Sequence, residues 1–453
     1  MVVVRGARAR LLTLGVGLLF VTLLLGQASG LAVQLQRLSS PDAEAYDQFG
    51  QSVDIWGDTM AIGEPEGRLL GYEEGKVHIY KRQPGELSWS LYETLVGPPG
   101  SLGFGTSLDL AGDSHLIVGA PSETVLGQPN AGAVYAYFES GGEWFPAGRL
   151  VSPDPGPHQF FGTGLAHVGD QFFIGEPRTL FGGDLPGQVH HLTWGGNGQV
   201  HLATYRDPDP PYLPDLFGSD VALDETTLNI AIGAPRSLRV QILEYQSGSG
   251  WNVQTTFSAP SGQVVGHSPF SFGAAVDLEG DLLIVGAPDA YTSDIDEPEG
   301  WAYVFHHGSG GWDLEAVLEP TGPFSHWPGK TFGSDVAIFG DAVAVGASHA
   351  ANQVAPFGSA YLFKRTVGGD WIEREEYIPA APGYDTVRMG ASIGFHDQTI
   401  VAGAPLEKTT VPSNPQLGAA YVFRAACMDV YGTFGLAPGQ LASLPFPCVA
   451  PML

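Results

Sequence analysis

Basic residues are scarce in this chain of 453 residues: 20 Lys and Arg stand against 48 Asp and Glu, a formal net charge of -28. A surface that acidic repels phosphate backbones and anionic headgroups, which excludes nucleic-acid binding. Long stretches free of breakers are lacking as well. With 63 Gly and 35 Pro, little of the sequence can sustain a long helix. Disorder does not follow, because 43% of the residues are apolar and supply ample surface to bury. That mix suits many short strands joined by tight turns. Catalytic strings are few: no HExxH and no GxxxxGK[ST] occurs, so zinc-protease and P-loop chemistry have no support. Cysteine is limited to Cys427 and Cys448.

What is present begins with a segment to be read apart. MVVVRGARAR carries three arginines and no acid, LLTLGVGLLFVTLLLG is nearly unbroken apolar sequence, and QASG follows with small residues. This order is that of a secretory signal peptide over 1-30, cleaved near Ala28 to Gly30. The alternative, an uncleaved anchor, is disfavoured by the shortness of the run. No Cys follows it, which excludes a lipoprotein anchor. The expectation is therefore an extracytoplasmic or secreted protein, with no membrane span in the mature chain. In that setting Cys427 and Cys448 are expected to form a disulfide, which contributes about 3 kcal/mol by constraining the unfolded chain.

The rest of the chain repeats itself. Gly50, Gly105, Gly162, Gly218, Gly273, Gly333 and Gly390 each follow Phe or, once, Met, at spacings of 55 to 60 residues. Each unit parses as four strands. In the fifth they are AAVDL, LLIVGAP, GWAYVFHH and WDLEAVLEP, with a Gly280-Asp281 hairpin between the first two. Seven such units, none able to bury both faces alone, predict a closed radial array of sheets, a seven-bladed all-β propeller over 31-426. The Phe-Gly glycine is expected to let the innermost strands approach near the axis. The ends of the chain fit a ring. After AAYVFRA the seventh unit lacks a fourth strand, while LAVQLQRLSSPD, from Leu31 to Asp42, stands unclaimed before the first unit. That N-terminal strand is expected to complete the last blade, leaving 427-453 as an irregular tail.

FGTSLDLAGDSHLIVGAP, FGAAVDLEGDLLIVGAP and FGSDVAIFGDAVAVGAS resemble the FG-GAP repeat family, known from the propeller heads of integrin alpha chains and from secreted bacterial proteins. The resemblance runs from Phe49 to about Ala426. Glu64 and Glu176 depart from it where Ala is usual, Ser348 where Pro is, and Met389 where Phe is. Many members bind calcium through an Asp-rich loop between the first two strands. Here that loop is missing, and single aspartates such as Asp58 and Asp281 cannot supply six to eight oxygens. No metal and no cofactor is expected. The acidic run holding Asp294, Asp296 and Glu297 is the one alternative, set against a solvated loop.

Other candidates are weaker. Asp54, Asp109 and Asp277 share one register and could turn carboxylates to the axis as a ligand site, or accept hydrogen bonds from a neighbouring blade's backbone. His158, His267 and His326 precede three Phe-Gly steps and are read as polar loop residues. Long segments all fall on the Phe-Gly end of the blades, and short hairpins on the other. Variable loops over a rigid scaffold tend to carry function, and aromatics anchor interfaces, so Tyr212, Tyr291, Trp327 and Tyr384 are the candidate partner-binding residues. The expectation is a monomeric, non-enzymatic binding or adhesion module for an extracellular protein or polysaccharide, as the resemblance implies. The alternative is a carbohydrate-active hydrolase or lyase using loop carboxylates.

Overall fold

The computed structural model describes residues 33–42, 46–65, 74–178, 185–196, 198–210, 214–260, 267–268, 271–292, 299–321, 331–349, 357–379, 387–408 and 417–425. Seven antiparallel sheets of four strands account for nearly all of them. Blade 1 runs outward through Val53–Trp56, Thr59–Glu64, Lys76–Arg82 and Trp89–Val96. Blades 2 to 6 repeat the order, and the inner strand of each lies against the inner strand of the next. The inner strand of blade 7, Ser392–His396, returns to that of blade 1. The ring is closed.

Blade 7 takes its outer strand from the other end of the chain. Val33–Leu38 pairs antiparallel with Ala419–Arg424, as expected from the unclaimed N-terminal segment. Among the described residues one small ladder was not foreseen: His267–Ser268 pairs with Tyr291–Thr292 beside blade 5. No helix among the described residues is long and apolar enough to cross a membrane.

The core is not central but divided. Seven clusters of buried side chains lie one between each pair of neighbouring blades among the described residues. The aromatic residue of each Phe-Gly step is sealed in its cluster. Phe49, Phe104, Phe161, Phe217, Phe272, Phe332 and Met389 are all buried at 0–1% exposure. Phe104, for instance, meets the rings of Tyr135 and Tyr137 edge-on.

The glycine that follows works differently from the expectation. Gly105 has φ +88°, and its carbonyl presses on Gly63 of the preceding blade, where a Cβ would sit 2.1 Å from the oxygen. A Cβ on Gly105 itself would meet the carbonyl of Lys76 at 2.7 Å. The close approach is thus between one blade's Phe-Gly and its neighbour's Gly-Ala-Pro, not among inner strands at the axis. Both halves of the repeated motif are needed because each glycine makes room for the other's backbone.

Candidate functional site

Along the inner strands the acids form an interblade ladder. Asp54 accepts the Leu110 amide of the next blade at 2.7 Å and the Ile55 amide at 2.7 Å. Asp277 does the same with Ile338 and Leu278, at 2.6 and 2.8 Å. Two residues earlier in register, Asp220 takes Val276 at 2.7 Å and Asp335 takes Ile393 at 2.6 Å. Two residues later, Asp224 and Glu279 accept the amides of Gly280 and Gly340. Residues two apart share one face of a strand, so all three rungs lie on the same side. Burial pushes Asp54 up to about 8, with repulsion from Asp109 adding to it, and the two amides only partly offset this. Asp277 and Asp220 rise to about 7 and about 6 for the same first reason. These carboxyls are spoken for by backbone, which favours the structural reading of Asp54 and Asp277. Asp109 differs, because its partner is the His167 side chain at 2.5 Å.

At the Phe-Gly end, buried charges stand at the feet of the connecting segments. Glu64 is fully buried and accepts from His78 at 2.5 Å. Asp47 lies beside it, pushed up to about 7 by burial and by the charge of Glu64. In blade 3, Glu176 holds His190 at 3.1 Å, Arg178 at 2.7 Å and Gln188 at 2.6 Å. Burial raises the Glu176 carboxyl, but bonding to His190, Ser152 and Gln188 outweighs it and leaves a net lowering. Elsewhere Glu123 receives Tyr135 and Arg149, Glu407 receives Tyr421 and Arg37, and Asp207 receives Arg239.

A rule runs through these feet. Where Glu replaces Ala after the second-strand glycine, at Glu64 and Glu176, the third strand carries His78 or His190. Where Ala remains, the matching residue is tyrosine in four blades, Tyr135, Tyr303, Tyr361 and Tyr421 beside Ala120, Ala287, Ala347 and Ala404, and Gln241 in blade 4 beside Ala234. The pairs escaped the sequence reading, although the strings KVHIY and QVHHL against AVYAY carry the signal.

Of the anticipated partner-binding residues, Tyr212, Trp327 and Tyr384 lie outside the described residues, and Tyr291 is described only as backbone in its two-residue strand. Cys427, Cys448, His326, Asp294, Asp296 and Glu297 also lie outside them. His158 bonds the Asn130 amide at 3.0 Å. Among the described residues no group of three or more His, Cys, Asp or Glu is arranged to hold a metal ion. The string Gly390-Ala391-Ser392-Ile393-Gly394 matches the GxSxG pattern of hydrolase nucleophiles. Its Ser392 sits in an inner strand, is 6% exposed, and donates to the Gly50 carbonyl at 3.0 Å. It fastens blade 7 to blade 1, as Ser52 fastens blade 1 to blade 2 through Gly105 at 2.8 Å.

A closed ring of seven four-stranded sheets, locked through paired Phe-Gly and Gly-Ala-Pro strings, is a β-propeller of the kind the repeats foretold. The family model described as FG-GAP repeat matches residues 32–80, which take in the N-terminal strand and part of the first unit, and 326–363 around the sixth. No curated protein matches the chain. The chain thus carries FG-GAP repeats within a seven-bladed β-propeller, a fold compatible with a binding module.

Proposed function

We propose that this propeller is an exported binding or adhesion module that recognises an extracellular protein or polysaccharide through its Phe-Gly end. The observation that carries the reading is the set of buried carboxylates bonded to basic side chains at that end. Arg37–Glu407, His78–Glu64, Arg178–Glu176 and Arg239–Asp207 brace the strand ends from which the connecting segments leave. Braced strand ends of this kind suit loops that must present a fixed surface. The acidic balance of the chain favours a neutral or cationic partner.

The test uses the mature chain, immobilised, against its native cell-surface extract and a glycan array. Tyr212→Ala and Trp327→Ala should each weaken capture of the partner by about 2 kcal/mol, roughly thirtyfold, with the melting temperature unchanged. Equal substitutions in the Gly308 to Gly311 turn should have no effect. Loss of binding from the turn variants alone would place the site on the hairpin end and defeat the proposal.

A further inference from the structure

Two junctions carry the same pair of residues and complete it differently. In blade 1 Arg82 stands opposite Trp89, and in blade 6 Arg365 stands opposite Trp371, at the hairpin end of the third and fourth strands. The outer strand of the preceding blade skips one residue in each case, Glu315 in blade 5 and Leu35 in blade 7. Glu315 spans both partners, accepting Arg365 Nη2 at 2.5 Å and Trp371 Nε1 at 2.7 Å. Leu35 can accept neither.

Arg82 is therefore only partly engaged. Its Nε donates to Asp58 at 2.8 Å and its Nη1 to Thr399 at 3.0 Å, while the guanidinium lies 5.0 Å from the centre of the Trp89 ring. Nη2 has no partner among the described residues and is not sealed from solvent. Trp89 Nε1, the counterpart of the donor that Glu315 satisfies, is buried without a partner. Between blades 7 and 1 lies a cavity of about 350 Å³, lined by Arg82, Leu35, Asp58, Thr399, Gln398 and Arg424. Arg424 donates to Gln398 at 3.2 Å, and its Nε and Nη1 are likewise unpartnered among the described residues and open to solvent. In a chain of net charge -28, two guanidinium groups with free edges line one cavity.

Free guanidinium edges match a carboxylate, which they hold through paired N–H bonds. Asp58, with one oxygen engaged by Arg82, and the exposed Asp397 and Glu86 at the rim accept only, so they match hydroxyl donors on the same ligand. Those acids also repel a second negative charge. We propose that this cavity binds a small monocarboxylate bearing hydroxyl groups, the chemistry of a hexuronic acid. Its carboxylate takes at Arg82 the place that Glu315 holds at Arg365. The volume is that of a small-molecule site. It lies at the hairpin end and does not rest on the partner-binding reading.

Calorimetry on the mature chain compares glucuronate, glucose and cyclohexanecarboxylate. Glucuronate should bind about tenfold more tightly than glucose, which lacks the charge, and more tightly than cyclohexanecarboxylate, which lacks the hydroxyls. Arg424→Gln should weaken glucuronate by about tenfold with the melting temperature unchanged. Leu35→Glu supplies the internal carboxylate of the other junction, so it should melt no lower than the parent and abolish glucuronate binding. Leu35→Met keeps the position uncharged and should bind as the parent does. No binding by the parent, equal affinity for glucuronate and either control compound, or glucuronate binding that survives Leu35→Glu would each overturn the proposal.

Discussion

Inside blade 7 the outer strand, Val33–Leu38, is joined to the third, Ala419–Arg424, by hydrogen bonds alone, yet the junction that follows it, between blades 7 and 1, is built like the junction between blades 1 and 2. Ser392 reaches the Gly50 carbonyl at 3.0 Å as Ser52 reaches that of Gly105 at 2.8 Å. A Cβ on Gly403 would meet the Gly50 oxygen at 2.0 Å, and one on Gly63 the Gly105 oxygen at 2.1 Å. Even the irregularities agree. The outer strand of blade 1 skips one residue opposite Ile79 and Tyr80, and Val33–Leu38 skips Leu35 opposite Val422 and Phe423. The chain break inside blade 7 therefore leaves the next junction unaltered, with the repeat's local contacts in place. Polar fastening accompanies both junctions, Arg82 to Thr399 and Gln36 to the Trp89 backbone at one, and the Trp144 amide to Glu93 at the other, while Arg37 to Glu407 ties the N-terminal strand into blade 7.

The comparison breaks most visibly if the N-terminal strand is removed. Deleting Leu31 to Ser40 exposes the third strand of blade 7 as an unpaired edge and opens the core around Leu38. A loss of about 4 kcal/mol is expected, with aggregation on heating, measured by thermal and urea unfolding. Next in size, Gly63→Ala and Gly403→Ala should each cost about 3 kcal/mol, and by equal amounts, since each pushes a methyl into a backbone carbonyl. A much milder cost at Gly403 would show that the seam is looser than the other junctions.

Arg37→Ala sharpens the difference instead. It strands Glu407, whose side chain is 4% exposed, while Arg37 itself is 36% exposed. A loss of about 2 kcal/mol is expected from urea unfolding, below the range for a wholly buried pair. The smallest effect concerns the axis, where Asp54, Asp220, Asp277 and Asp335 bridge four of the seven junctions. Asp54, Asp277 and Asp220 are raised in the folded state to about 8, about 7 and about 6. The native chain then holds protons that the unfolded chain releases, so their contribution is full below about pH 4 and is lost as pH rises to about 8. Unfolding free energy measured between pH 5 and pH 8 should decline on this account, and Asp54→Asn should flatten the decline.

The sequence disclosed what every copy repeats. Seven glycine pairs make the same clash-relieving contact, so the period, the four-strand unit and the unclaimed N-terminal strand were all visible in spacing. It disclosed less where copies differ. Asp54, Asp109 and Asp277 stood out at one register, but Asp220 and Asp335, two residues earlier on the same strand face, did not. Glu64 and Glu176 looked like harmless departures, because their meaning lies in His78 and His190, reached only through strand pairing. His167 was invisible for a similar reason: a lone histidine in an alternating strand signals nothing until its six counterparts are aligned and all prove apolar. The partner-binding aromatics were chosen from loop length, a property that the repeats do not constrain.

The most direct test of ring closure is amide hydrogen exchange in the intact mature chain, comparing Ala419–Arg424 with Lys76–Arg82. Each is the third strand of its blade, and the two differ only in whether the outer strand follows it in the chain or comes from the N-terminus. Equal protection of the two strands, both exchanging only through global unfolding, is the result this account predicts. Exchange of Ala419–Arg424 at the rate of a free edge, with Lys76–Arg82 still protected, would contradict it.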